Sequence, residues 1–290
     1  MMKWHTESID FAGEEGTLYG ELLLPRGDGP FPGAVLCHGM GTDHRAMRPV
    51  AQRLVRKGVA TLTFDFRGHG KSDGIADENI SQDVIAALRF LCSHAKVNPK
   101  RVALVGHSFG AGAAILAAAK LKDLRALVSI SGPGEVKGQS GEALAALYHN
   151  VIQLGSVVLE YPRCGALPGS GGLAGFIFRL WMRVRGYRLR INWQKALRIG
   201  QRLKSAALEQ MGDFPKLFVH CEGDTVAPYE GALDTYERVE PPKELLLSEG
   251  GSHSRPLLPG RLREEWVTWL VCALTQVKEG SEGLRGKTES

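Results

Sequence analysis

Arg101-Val-Ala-Leu-Val-Gly-His-Ser-Phe-Gly-Ala-Gly-Ala-Ala-Ile-Leu116 decides how the rest of this 290-residue chain is read. Residues 101–105 are a short apolar run with β-branched Val102 and Val105, and residues 111–121 are rich in Ala and Leu. A strand therefore passes through Gly106-His-Ser-Phe-Gly110 into a helix. The pentapeptide alone would also fit a glycine-flanked turn with a capping serine, but a strand before it and a helix after it favour a nucleophile elbow. Such a turn is too sharp for side chains at its flanks, so Gly106 and Gly110 leave room while Ser108 is held strained and exposed. At the helix start the N–H of Phe109 is free to donate to an oxyanion formed when Ser108 attacks a carbonyl.

A serine hydroxyl is a weak nucleophile at neutral pH and needs a base within reach and an acid to orient that base. Nine histidines compete for the first role. His253 fits it best, because Leu247-Ser-Glu-Gly-Gly-Ser-His-Ser254 sets it on a glycine-flexible loop after the last strand and before the last helix. For the acid, Val219-His-Cys-Glu-Gly-Asp-Thr-Val-Ala-Pro228 puts Asp224 just past a strand, with Glu222 and Glu135 as alternatives. The order Ser, Asp, His is the one this kind of elbow predicts. His38-Gly-Met-Gly41 follows a buried strand and can aim the N–H of Met40 into the same space as that of Phe109, giving two oxyanion donors. His38 itself reads as a structural pin for that loop.

Elsewhere short apolar strands alternate with amphipathic helices. Residues 6–11 and 17–24 read as an antiparallel edge pair joined at Gly13–Gly16, and Gly33–Cys37, Val59–Phe64, Leu124–Ile130, Lys216–His220 and Glu244–Leu247 as strands. Helices are expected from Asp43 to about Lys57, over 80–94, near Tyr229–Val239 and from Arg261 to about Leu274. That alternation implies a mainly parallel sheet covered on both faces, with functional residues on loops at the carboxyl ends of the strands. The loop Asp65-Phe-Arg-Gly-His-Gly-Lys-Ser72 reads as a compact turn in which Asp65 and Arg67 tie neighbouring loops together. It lacks the first glycine of a phosphate-binding loop, and a catalytic role for His69 or Asp65 is the weaker reading.

From 135 to 212 the alternation stops, marking an inserted cap between core segments 1–134 and 213–277, and residues 278–290 are expected to be a disordered polar tail. In the cap, Leu173, Phe176, Ile177, Leu180, Trp181 and Val184 form an apolar stripe, with Arg179 and Arg183 on another face. The net charge of +5 is local, since Tyr161–Lys204 holds ten Lys or Arg and no acid. Such a surface suits a phosphorylated carrier such as coenzyme A or an anionic lipid surface, and nothing points to nucleic acid. The five scattered cysteines read as buried free thiols, with no disulfide framework and no metal site. Without a signal-like start or an apolar run of membrane-spanning length, the expected location is cytoplasmic, with the basic cap as a point of peripheral membrane contact.

Together these motifs resemble the α/β-hydrolase superfamily over roughly residues 17–134 and 213–275. They look most like its esterase and serine-aminopeptidase-like branch, which includes monoacylglycerol lipases and feruloyl esterases. The resemblance implies an α/β-hydrolase fold, a cofactor-free hydrolase, and Ser108, Asp224 and His253 as nucleophile, acid and base; it says little about substrate, for which a small-molecule acyl compound is expected. Ester cleavage is the leading expectation, thioester hydrolysis or acyl transfer the second, and a non-catalytic binding protein on the same scaffold a third. Haloalkane dehalogenase chemistry is disfavoured because that branch carries a carboxylate where this chain has Ser108.

Overall fold

The computed structural model describes residues 4–134, 158–161, 184 and 188–276. Eight strands form the main sheet: β1 (Trp4–Gly13), β2 (Gly16–Pro25), β3 (Phe31–Cys37), β4 (Ala60–Phe64), β5 (Val97–His107), β6 (Ala126–Ile130), β9 (Lys216–Cys221) and β10 (Lys243–Ser248). Their order is β1-β2-β4-β3-β5-β6-β9-β10. β1 and β2 run antiparallel as an edge hairpin closing at Gly13–Gly16, and every pairing from β4 to β10 is parallel. A separate antiparallel pair, β7 (Val158–Tyr161) and β8 (Leu189–Asn192), lies outside this sheet.

Alternate side chains of the central strands feed two apolar layers, as expected where both faces are covered. Val35, Leu62, Leu104, Leu127 and Phe218 pack with α2 (Ser81–Ser93) and α3 (Phe109–Ala118). Leu36, Val105, Val128 and Val219 face α1 (Arg48–Val55) and the final helix, Arg261–Thr275. Before β9 come α4 (Trp193–Ala196) and α5 (Ile199–Ser205), and between β9 and β10 comes α6 (Tyr229–Arg238), which makes the final helix α7. β3 neighbours both β4 and β5, so the chain winds outward to β4 and then crosses back to β5. The loops leaving β3 and β5 therefore diverge at the switch point where parallel sheets open a crevice.

Two expectations change. The helix expected from Asp43 is broken: Asp43 caps a 3₁₀ turn over His44–Met47, its carboxylate accepting from the Arg45 N–H at 2.9 Å, and α1 starts only at Arg48. Pro49 is the reason, because its ring fits a first helical turn but not the interior of a longer helix. Cys37 and Cys221 are buried, but Cys272 is exposed on the face of α7 opposite buried Trp266, Val267, Leu270 and Leu274. Most of the stretch 135–212 in which the inserted cap is expected, Cys164 and residues 277–290 lie outside the described residues. Among the described residues no helix is long and apolar enough to cross a membrane.

The loop after β4 is locked by buried charge. The Arg67 side chain, 1% exposed, grips Asp83 of α2 through Nε and Nη2 at 2.9 and 2.7 Å and reaches Glu14 and Glu15 in the β1–β2 turn. Asp65 Oδ1 accepts from both the backbone N–H and Nδ1 of His44 at 2.7 Å, while Arg48 grips Glu21, which faces His44 Nε2 at 3.6 Å. Burial alone would push the His44 imidazole down, yet Asp65 and Glu21 outweigh it and raise it to about 9. This stabilisation is complete below the ordinary value of 6.5 and is lost as pH rises through about 9, a contribution on the order of 3 kcal/mol. Thermal melting should therefore show His44→Asn less stable than wild type at pH 6, with the gap closing by about pH 10.

Candidate active site

Ser108 occupies φ 56°, ψ −124°, a left-handed conformation that a serine adopts only under constraint. Its N–H donates to Ile130 O at 2.9 Å and its carbonyl accepts from Ala111 N–H at 2.8 Å, so β5, β6 and α3 together hold the turn. The flanking glycines are obligatory here. A Cβ on Gly106 would lie 2.3 Å from Gly110 O, and one on Gly110 would lie 2.4 Å from His38 O. Phe109 is the first residue of α3, so its N–H has no acceptor within the helix.

The loop leaving β3 lies directly against this elbow, since a Cβ on Gly39 would be 3.3 Å from both Ser108 Cβ and His107 Nδ1. Two buried histidines shape it. His38 Nε2 accepts from Phe66 N–H at 3.2 Å, leaving Nδ1 to donate to Gly39 O at 2.8 Å. His69 Nε2 accepts from Gly41 N–H at 3.3 Å. Burial, and for His69 the neighbouring His38, keeps both rings neutral, with His69 pushed down to about 3. They fix the position of Met40, and His38 has the pinning geometry expected of it.

Asp224 and His253 come together across 29 residues. The fully buried Asp224 carboxylate accepts from Val226 and Ala227 N–H through Oδ1 at 2.9 and 3.0 Å, and from His253 Nδ1 through Oδ2 at 2.8 Å. His220 Nε2 donates to Ala227 O at 2.7 Å and faces the same Oδ2 at 3.4 Å. Burial by itself would raise the Asp224 carboxyl, but the hydrogen bonds from His220, His253 and Ala227 outweigh it and hold it well below the ordinary carboxylate range. Glu222 is exposed and Glu135 lies outside the described residues, so among the described carboxylates of that loop Asp224 is the buried one.

His253 also meets the elbow. Its ring lies 4.8 Å from that of His107, the residue before Ser108. Its carbonyl accepts from His107 Nε2 at 3.1 Å and from Ser131 Oγ at 2.9 Å. Burial, then the adjacent His253, pushes His107 down to about 4, so it stays neutral. Sequence reasoning had no role for His107, Ser131 or His220. His107 and His220 were visible beside the motifs, whereas Ser131 is marked only by its backbone, φ 47°.

β8 bridges to His69 and Ala76, and Arg188 donates to Ser72 O at 3.0 Å. The apolar stripe from Leu173 to Trp181, with Arg179 and Arg183, lies outside the described residues, and Val184 is exposed. Asp43, His44 and Asp65 have potential metal-ligand atoms within 4.8 Å of one another. Arg45 takes up Asp43, however, and a protonated His44 bonded to Asp65 is not a ligand.

The Escherichia coli O157:H7 protein YfhR is 24% identical over 279 residues, covering 93% of this chain and 82% of its own. The Mus musculus peroxisomal succinyl-coenzyme A thioesterase is 32% identical over 121 residues, 41% of this chain and 28% of that protein. The Pyrococcus furiosus esterase Pf2001 superposes with a TM-score of 0.64 at 20% identity, covering 94% of this chain and 91% of that one, a likeness of fold. A family profile matches residues 34–269, from β3 to α7, and on that match the chain belongs to the alpha/beta hydrolase family.

Proposed function

We propose that this protein is a serine-dependent hydrolase of carboxylic esters acting through an acyl-enzyme. The observation that carries the reading is the His253–Asp224 pair, 2.8 Å apart, docked through His107 and Ser131 against the strained Ser108 elbow. Ser108 Oγ attacks the ester carbonyl as His253 Nε2 takes its proton, while Asp224 holds the opposite nitrogen and stabilises the imidazolium. The oxyanion is held by the N–H groups of Met40 and Phe109. Collapse of the intermediate breaks the ester C–O bond, and His253 gives the proton to the departing alcohol. Water, deprotonated by His253, then attacks the acyl-serine and releases the acid.

One observation favours a second reading, thioester hydrolysis or acyl transfer from an acyl-coenzyme A. Residues 188–204, next to the loop that holds His69, carry six basic residues and no acid, and a relative is named a thioesterase. Arg190 Nε and Trp193 Nε1 are buried there with no hydrogen-bond partner among the described residues, donors that an anionic group could use. A panel of p-nitrophenyl esters of graded chain length, acyl-coenzyme A thioesters and aminoacyl amides separates the readings. Turnover confined to thioesters, and inhibited by free coenzyme A, would replace the ester reading. Labelling of Ser108 by a fluorophosphonate, located by peptide mass, is expected in either case, and its absence would remove both.

A further inference from the structure

We infer that Ser131 and His107 are positioning residues that fix the main chain of His253 over the Ser108 elbow; this rests on reading Ser108, His253 and Asp224 as one catalytic unit. The need for such a tether follows from the loop. Residues 249–252 and 254–255 are exposed, Gly250 and Gly251 both adopt positive φ, and residues 249–254, between β10 and a 3₁₀ turn that starts at Arg255, belong to no regular element. The far end is secured, since the indole of fully buried Trp266 donates to Pro256 O at 2.9 Å. Among the described residues the His253 ring makes its one side-chain hydrogen bond to Asp224, and a single ring-nitrogen bond leaves the backbone free to swing about it.

The His253 carbonyl closes that freedom. A carbonyl can only accept, so Ser131 Oγ–H and His107 Nε2–H are both donors, and two donors on one oxygen fill both of its lone pairs and set its direction. The donors come from the carboxyl ends of adjacent, hydrogen-bonded strands in the middle of the sheet, β5 and β6. Because His107 stays neutral, it donates without placing a positive charge beside the ring that must become imidazolium. Its remaining nitrogen faces the Gly39 loop, so one imidazole touches both the base loop and the oxyanion loop.

Ser131 supplies the independent argument. It is fully buried at φ 47°, where glycine sits without penalty and serine is strained, and its N–H donates to Val219 O at 2.9 Å. A hydroxyl held at such a backbone position is there for what it binds, and what it binds is His253.

The test uses the full chain with Ser131→Gly, His107→Phe, His107→Gln and Ser108→Ala, read by kcat and KM on the best p-nitrophenyl ester and by thermal melting. Ser131→Gly relieves the strain as it removes the donor, so its melting midpoint should stay within about 3 °C of wild type. Its kcat should nevertheless fall about 10-fold with KM within about 2-fold. His107→Phe should do the same, and His107→Gln, whose amide N–H can replace Nε2–H, should recover most of the rate. Ser131→Gly and His107→Phe retaining wild-type kcat while Ser108→Ala is inactive would overturn the positioning role and leave the nucleophile reading intact. Rate losses that track losses in melting midpoint, or no recovery with Gln, would also overturn it. An active Ser108→Ala would instead remove the reading on which the inference rests.

Discussion

Ser108→Ala is expected to lower kcat for p-nitrophenyl ester turnover by about 10⁴- to 10⁶-fold and to abolish fluorophosphonate labelling, with the melting midpoint within about 2 °C of wild type. The size of the loss follows from removing the only atom that forms the covalent intermediate; the oxyanion donors and the binding surface remain and account for the residual rate. The small effect on stability follows from the local geometry. The strain of φ 56° belongs to any residue with a Cβ, so alanine inherits it, and the bonds that hold the elbow run through backbone groups that the substitution leaves in place. Steady-state kinetics and differential scanning calorimetry on the same preparation check both halves. Turnover of Ser108→Ala within about 10-fold of wild type would exclude Ser108 as the nucleophile, and a large drop in melting midpoint would make the elbow's side chain structural.

The strands and the elbow were legible because their physics is local. Strands made of apolar and small hydroxyl residues without a charge, such as Ala60–Phe64 and Ala126–Ile130, announce burial on both faces, and Gly106 and Gly110 are demanded by contacts within a few residues of the serine or with the adjacent β3 loop. The pairing of Asp224 with His253 was foreshadowed by chain order and by their glycine-bearing loops. The surroundings that tune them were less so. That Ser131 takes a left-handed backbone, that His220 shares Oδ2 of Asp224, and that His44 reaches Asp65 and Glu21 depend on how strand ends and loops meet once the sheet is assembled. No periodicity encodes that. The helix from Asp43 shows the opposite failure, in which an amphipathic pattern was read straight through Pro49 although the proline made 48 the helix start.

Asp224→Asn tests the electrostatic half of the site, and the structure fixes what the amide would do. Oδ1 of Asp224 accepts two backbone N–H groups, from Val226 and Ala227. An amide placed there keeps its oxygen toward those donors, because the reverse would set its NH₂ against two N–H groups. The NH₂ must then occupy the Oδ2 position and donate to His253 Nδ1, which is 2.8 Å away. His253 is thereby forced into the tautomer that carries its proton on Nε2 and can no longer accept one from Ser108. A loss in kcat of about 10⁴-fold is expected, the size found where a triad carboxylate is replaced by its amide. The change also shows in stability. The Asp224 carboxyl is depressed in the fold, so its contribution is present above the ordinary value of 3.8 and is lost as pH falls further. The variant should therefore melt below wild type at pH 7, with the gap narrowing on acidification below about pH 3.8. Rates near wild type for Asp224→Asn would leave His253 without an acid partner and reopen Glu222 and Glu135. A rate loss of 10⁴-fold with an unchanged gap across that pH range would separate the tautomer argument from the charge argument and retain only the first.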